Sequence, residues 1–113
     1  MSDSLPLNVD VQTVKQWLDE QHEFVLIDCR EQVEYDFARI EGARLLPMSE
    51  IQSRFGELEP LSQQHLVIHC HHGGRSMQVT QWLRGQGFNQ VQNMAGGIDA
   101  WSQEIDTDVP RYQ

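Results

Sequence analysis

One cysteine of this chain lies where a strand gives way to a helix, in a loop that also contains two glycines and an arginine. Residues 66–68 form an apolar run typical of a buried strand, and residues 76–86 have a helical pattern. Between them lies the loop Cys70-His71-His72-Gly73-Gly74-Arg75-Ser76. Backbone amides in such a turn point inward and favour an anion, and the helix N-terminus adds positive charge. We therefore predict that Cys70 has a pKa below the free value of ~8.5 and acts as a nucleophile.

The loop residues around Cys70 decide between a reactive cysteine and an inert one. A cysteine that ends a core strand is commonly a buried residue without chemistry. Here Gly73 and Gly74 permit the backbone turns that aim amides inward. Arg75, at the far end of the loop, could hold a sulfonate, a carboxylate or a phosphate through two parallel hydrogen bonds. The combination favours the functional interpretation.

Three histidines flank Cys70, so a metal site has to be considered. Neighbouring strand residues point to opposite faces, so the side chains of His69 and Cys70 diverge. The chain has no second cluster of ligands elsewhere. We therefore expect neither a metal nor another cofactor. We interpret His71 and His72 as exposed loop residues that add polarity at the mouth of a pocket, although plain solvated histidines fit the sequence equally well.

A second candidate segment, Asp28-Cys29-Arg30, follows another apolar run at residues 24–27. Ligands of open parallel sheets bind beyond the carboxyl ends of the strands, so this segment and the Cys70 loop could converge on one pocket. Asp28 and Arg30 could support that pocket or pair with each other. Cys29 could resolve an oxidised Cys70 if the two strand ends are neighbours, but a small core residue is the favoured interpretation.

Length and charge limit the classes of function. With 113 residues, the chain is expected to form a single domain over residues 1–113, with a core at about 9–103 and a short, extended tail at 104–113. Seventeen acidic residues against eight basic ones give a net charge of -9, which argues against nucleic acid or an anionic membrane as a partner. The N-terminus lacks the pattern of a signal peptide, and two cysteines suit a reducing compartment, so we expect a cytoplasmic protein.

The remaining pattern predicts how the chain is organised. Asp10 caps a first predicted helix, and Ser49 with Gln52 forms a capping box that predicts a third one. Strands are predicted in four short segments, at residues 24–27, 44–46, 66–68 and 91–94. Strands that do not alternate and are separated by helices indicate a parallel sheet covered on both faces. The predicted class is an α/β fold with a doubly wound parallel sheet.

The Cys70 loop resembles the active-site loop of single-domain rhodanese-like sulfurtransferases. Three further stretches are similar to that family's motifs: Ile27-Asp28-Cys29-Arg30-Glu31 with Glu34-Tyr35, Ile40-Glu41-Gly42-Ala43, and the closing Gly96-Gly97 followed by Trp101. The resemblance runs from about Val9 to Trp101. It implies a central five-stranded parallel sheet with helices on both faces.

The resemblance also implies an activity. Cys70 would carry a sulfane sulfur as a covalent persulfide, taken from thiosulfate or another persulfide donor and given to a thiophilic acceptor such as cyanide or a protein thiol. The loop from His71 to Ser76 would bind the substrate and stabilise the persulfide, and Arg75 would orient an anionic donor. The expected partners are a small anionic sulfur donor or a protein persulfide donor, and a thiophilic acceptor. His71 and His72 occupy positions where some thiosulfate-using members have a lysine.

Two other functions remain open at this point. His69-Cys70 and Arg75-Ser76 also resemble the signature of cysteine phosphatases, but four residues separate Cys70 from Arg75 where phosphatase loops need five to surround a phosphate. The second alternative is a sulfur carrier or binding module without turnover of its own, which would use the same thiol chemistry but would be loaded efficiently only by its partner.

Overall fold

Five parallel strands form one sheet at the centre of the molecule. The computed structural model describes residues 5–112. The strands are β1 (Asn8–Val9), β2 (Val25–Asp28), β3 (Arg44–Leu45), β4 (Leu66–His69) and β5 (Val91–Met94). They lie side by side in the order β1-β5-β4-β2-β3, and all four pairings are parallel. The predicted five-stranded parallel sheet is confirmed, and β1 is a short edge strand that the sequence pattern did not indicate.

Four helices cover the sheet: α1 (Val11–Asp19), α2 (Gln32–Phe37), α3 (Gly74–Gly85) and α4 (Gly97–Glu104). Alternate residues of β4 supply two separate cores. Leu66 and Ile68 pack on one face with residues of α3, while Val67 packs on the other face with residues of α1 and α4. Because both faces of the sheet are covered, the central strand β4 is buried along its whole length, which explains the apolar run Leu66-Val67-Ile68.

The prediction of a third helix after Ser49 is wrong. The chain there forms three short 3-10 turns at Met48–Glu50, Phe55–Glu57 and Glu59–Leu61. The hydroxyl of Ser49 does not cap a helix; it donates to the Glu31 carboxylate at 2.8 Å. Gly56 and Pro60, which are poor formers of an α-helix, lie in the middle of the second and third of these turns. The apolar residues of the segment still reach the core.

The expectation of an extended tail is also wrong. The backbone N–H groups of Ile105 and Asp106 both donate hydrogen bonds to the Trp101 carbonyl, so the chain turns back on itself after α4. Val109 is only 9% exposed and lies in the core beside α1 and α4. The turn returns Tyr112 to the end of the sheet where the Cys70 loop lies. Among the described residues, no helix is long and apolar enough to cross a membrane.

Candidate active site

The Cys70 sulfur lies at the N-terminus of α3 and is surrounded by hydrogen-bond donors. The backbone N–H groups of Gly73 and Ser76 donate to Sγ at 3.1 and 3.3 Å. Helix α3 begins at Gly74, two residues earlier than predicted, so both donors belong to its first turn or its cap. Gly73 has a φ of 112°, a left-handed conformation that glycine adopts without strain, and this turn aims its amide at the sulfur. The cysteine is 1% exposed.

This surrounding favours the thiolate. Parallel register pairs Asp28 with His69, so Cys29 and Cys70 follow as neighbours at the two strand ends, and the Cys29 N–H donates to the His69 carbonyl at 3.0 Å. The Cys29 thiol, followed by the donors of Ser76 and Gly73, lowers the pKa of Cys70 to about 4 against the opposing effect of burial. The thiolate next to it and burial both raise the pKa of Cys29. Of the two thiols, Cys70 is the one whose surroundings favour ionisation, and Cys29 remains a protonated thiol in the core.

Asn93, near the end of β5, positions a third donor to the sulfur, the hydroxyl of Ser76. The Ser76 hydroxyl lies 3.4 Å from the Cys70 sulfur and also within hydrogen-bond distance of Asn93 Oδ1. The amide nitrogen of Asn93 donates in turn to Asn8 Oδ1 at 2.9 Å. Because the hydroxyl has a single hydrogen, it serves either the sulfur or the amide oxygen at one time. Asn93 was not a predicted site residue, although its place at the carboxyl end of a central strand was a usable signal.

The first turn of α4 holds the Cys70 loop in place through backbone hydrogen bonds. The N–H groups of Ile98 and Asp99 donate to the carbonyls of Cys70 and His71 at 2.9 and 3.0 Å. Gly97 has a φ of 58°, and a Cβ atom there would lie 2.4 Å from the His71 oxygen and 2.5 Å from the Cys70 oxygen. No side chain fits this position without moving the loop. The glycine pair before Trp101 therefore has a direct role in shaping the site.

Arg75 is not free at the mouth of the pocket. Its guanidinium forms two parallel hydrogen bonds, 2.8 and 2.9 Å long, with the carboxylate of Glu34 on α2. Glu34 also accepts from the hydroxyl of Tyr112 at 2.7 Å and from the backbone N–H of Glu31 at 3.1 Å. The hydrogen bonds from Arg75 are the main reason that the pKa of Glu34 falls to about 2. Neither Glu34 nor Tyr112 was predicted, because 41 residues separate Glu34 from Arg75 and no local pattern marks the pair.

Asp28 and Arg30 pair with each other. Both side chains are fully buried, and Arg30 Nη2 lies 2.6 Å from Asp28 Oδ2. The guanidinium also donates to the Ala38 carbonyl at 2.6 Å and to the Tyr112 hydroxyl oxygen at 3.0 Å. Of the two roles that the sequence left open for this pair, mutual pairing is the one that the structure shows. Through Tyr112, the pair also braces the residues around the loop.

The prediction that His71 and His72 are both exposed is half right. The His72 side chain is 67% exposed, but His71 is buried and its ring is stacked against Tyr112, with ring centroids 3.9 Å apart. His72 stacks on the other face of His71, also at 3.9 Å. Burial lowers the pKa of His71, so its ring is neutral near pH 7. The three rings form an aromatic stack beside the loop.

His71, His72 and Asp99 are a group of possible metal ligands in the part of the chain described, with donor atoms within 4.8 Å of one another. Asp99 is already ion-paired with Arg111 at 2.9 Å. The His72 ring lies 3.6 Å from the other carboxylate oxygen of Asp99 and is stacked on His71 at 3.9 Å. The observed contacts of this group are those of charge pairing and ring stacking.

Known protein families match this chain over most of its length. The family model "Rhodanese-like domain" matches residues 10–104, which include every residue of the Cys70 loop. The chain belongs to the rhodanese-like sulfurtransferases. A relative named "Sulfurtransferase" in Allochromatium vinosum is 34% identical over 83% of this chain and 86% of its own length. The resemblance seen in the sequence is thereby confirmed.

A solved structure gives the same result. The human single-domain sulfurtransferase TSTD1 superimposes with a TM-score of 0.79 at 27% identity, covering 88% of this chain and 98% of the human one. Other relatives of this rhodanese-like chain are longer. The probable adenylyltransferase/sulfurtransferase MoeZ of Mycobacterium tuberculosis is 33% identical over 88% of this chain, which spans only 25% of the length of MoeZ.

Proposed function

We propose that this rhodanese-like domain transfers sulfane sulfur through a persulfide on Cys70, from a sulfur donor to a thiophilic acceptor such as cyanide or a protein thiol. The observation that carries the proposal is the set of donors on one buried sulfur: two backbone N–H groups at 3.1 and 3.3 Å and a hydroxyl at 3.4 Å. Such a set stabilises negative charge on sulfur at neutral pH.

In the first half-reaction, the Cys70 thiolate attacks the outer sulfur of the donor. A new S–S bond forms to Cys70, the sulfur bond of the donor breaks, and the leaving group departs with the electron pair, as sulfite from thiosulfate or as a thiolate from an organic persulfide. Gly74 and Arg75 occupy the first turn of α3, where N–H groups have no acceptor within the helix. These two amides are available to hold the added sulfur.

In the second half-reaction, the acceptor attacks the outer sulfur of the persulfide and Cys70 leaves as a thiolate. A thiol with a low pKa is a good leaving group in such exchanges, so the donors that activate Cys70 in the first step also assist its release in the second. The loop needs no proton transfer from a neighbouring base, because the sulfur enters and leaves the cycle ionised.

Steady-state kinetics test this proposal. With a sulfane donor in excess and cyanide as acceptor, the chain should form thiocyanate in many turnovers, and the rate should vanish in the Cys70→Ser variant. Cys29→Ser should retain most of the activity, because Cys29 does not form the persulfide. If Cys29→Ser were the inactive variant, Cys70 would not be the residue that carries the sulfur.

A carrier without turnover of its own is the second candidate, and one relative supports keeping it. The chain is 30% identical to the putative sulfur carrier protein YrkF of Bacillus subtilis over 88% of its own length, which is 52% of the length of YrkF. A carrier would become persulfidated by a protein donor in a single turnover and would release thiocyanate only once per loaded molecule. A linear increase of product well beyond the concentration of the protein would exclude this role.

A further inference from the structure

We propose that Glu34 sets the donor specificity of the site, by holding Arg75 in an ion pair and so favouring organic persulfides, R–S–SH, over the thiosulfate dianion. This inference rests on the proposed persulfide chemistry of Cys70 and names the class of donor. Glu34 touches neither the sulfur nor the donor in this account; it acts through Arg75 and is therefore a positioning residue.

Three arginines near the loop each form an ion pair with a carboxylate. Arg75 is paired with Glu34, Arg30 with Asp28, and Arg111 with Asp99, whose N–H supports the loop. Each of these arginines thus has a carboxylate within 3 Å, and the three pairs together add no net charge. The whole chain has a net charge of -9, so the field outside the pocket repels anions.

The Arg75 pair is also fixed in place. Both carboxylate oxygens of Glu34 accept from Arg75, one accepts in addition from Tyr112, and the other from the backbone of Glu31. A carboxylate with four such donors stays ionised throughout the neutral range. To use Arg75, an anionic donor would have to break a bidentate pair and leave that carboxylate beside it.

The two classes of donor differ in the charge that must be brought together. With thiosulfate, Cys70–S⁻ and S–SO₃²⁻ react to give Cys70–S–S⁻ and SO₃²⁻, so three negative charges meet at the sulfur. With an organic persulfide, the protonated form R–S–SH is the electrophile: Cys70–S⁻ and R–S–SH give Cys70–S–SH and R–S⁻, and this step carries one negative charge throughout. In a site whose cations are already neutralised, the second reaction meets no electrostatic barrier of this kind.

The aromatic stack beside the loop suits the organic class too. The rings of Tyr112, His71 and His72 present a flat aromatic surface next to the ion pair, with successive centroids 3.9 Å apart. The positions of the two histidines carry no permanent cation that could replace Arg75 as an anion site. An organic group attached to the persulfide can lie against such a face, whereas a small hydrated dianion gains little from it.

The experiment compares second-order rate constants for persulfidation of Cys70 by thiosulfate, by a neutral alkyl persulfide and by persulfidated serum albumin. For the wild-type chain, we expect thiosulfate to be slower than the alkyl persulfide by about a hundredfold. The albumin arm distinguishes a protein-borne persulfide from a small one, since a site built for small donors would react poorly with it. Equal rate constants for thiosulfate and the alkyl persulfide would overturn the proposal.

Two variants isolate Glu34. Glu34→Gln should speed the thiosulfate reaction about tenfold or more, because it frees the Arg75 charge, and should change the alkyl persulfide reaction less than about twofold. Glu41→Gln removes the same charge from an exposed position and should leave the ratio of the two rate constants unchanged. An unchanged ratio in Glu34→Gln, or the same change in both variants, would contradict a specific role for Glu34.

Salt dependence of the wild-type chain gives an independent check that needs no variant. Since screening weakens repulsion between like charges, raising ionic strength should speed the reaction with the thiosulfate dianion and should have a much smaller effect on the alkyl persulfide, which reacts in its uncharged form. A thiosulfate rate that falls with salt would show an attractive, unpaired cation and refute the proposal. If no donor loads Cys70 in any variant, the proposed persulfide function itself is wrong, which is a different result from equal loading by all donors.

Discussion

Removing the Cys29 thiol should raise the pKa of Cys70 without creating a new buried polar group. Cys29 is buried beside Cys70 and is the largest single cause of the low pKa of the nucleophile. A hydrogen bond to a charged group contributes ~1.5–3 kcal/mol, and about 1.4 kcal/mol corresponds to one pKa unit. Because a thiol is a weak donor, we take the lower end of this range and expect Cys29→Ala to raise the pKa of Cys70 by about one unit.

The pH dependence of alkylation by iodoacetamide measures this shift, with peptide mass spectrometry to assign the label to Cys70. The wild-type midpoint should lie near the pKa of about 4, and that of Cys29→Ala about one unit higher. At pH 7 the Cys70 thiol is fully ionised in both proteins, so their alkylation rates should be similar and should differ only at acidic pH. Circular dichroism at each pH establishes that both proteins remain folded.

Cys29→Ser is the matched control, since its hydroxyl keeps a hydrogen-bond donor of similar size at the same position. Its midpoint should lie close to that of the wild-type chain. Superimposable profiles for Cys29→Ala and the wild type would refute the role given to Cys29. A wild-type midpoint near the free value of ~8.5 would refute the reasoning about the loop as a whole.

Three further changes test other parts of the structure. Gly97→Ala places a Cβ atom 2.4 Å from a loop carbonyl, so it should lower Tm by several degrees and abolish sulfur loading, whereas Gly56→Ala, in open space, should do neither. Tyr112→Phe keeps the aromatic stack but removes a hydroxyl between two charged groups, and urea unfolding should show a loss of ~1–2 kcal/mol. Burial lowers the pKa of His65 in the folded state. The contribution of His65 to stability is therefore present above the unfolded pKa of ~6.5 and is lost as the pH falls. Between about pH 7 and 5, the free energy of unfolding should decline less steeply in His65→Gln than in the wild-type chain.

The parallel sheet and the nucleophile loop could be predicted because their causes are local. Buried strands require unbroken apolar runs, and a strand-to-helix turn that aims amides inward requires glycine, so residues 66–76 carry both signals in sequence. The capping box at Ser49 was misleading for the opposite reason. Its hydroxyl found a partner in Glu31, 18 residues earlier in the chain, and nothing local indicates that contact.

The surroundings of the nucleophile could not be predicted because they depend on contacts between distant segments. Glu34 reaches Arg75 across 41 residues, and Tyr112 reaches Arg30 across 82. The tail looked extended because polar residues dominate it, yet Val109 anchors it in the core and Tyr112 buries His71. Each of these contacts changes the electrostatics of the pocket. The candidate nucleophile could therefore be proposed from the sequence, whereas the proposed donor preference depends on contacts that only the structure shows.

Peptide mass spectrometry of the reduced, folded chain, after exposure to an alkyl persulfide and separately to thiosulfate, would show directly whether Cys70 takes up sulfur. We expect a gain of one sulfur atom on the peptide that contains Cys70, faster with the alkyl persulfide, and loss of that sulfur as thiocyanate when cyanide is added. A gain on the Cys29 peptide instead, or no gain on either peptide from any sulfane donor, would refute the proposal that Cys70 carries the sulfur.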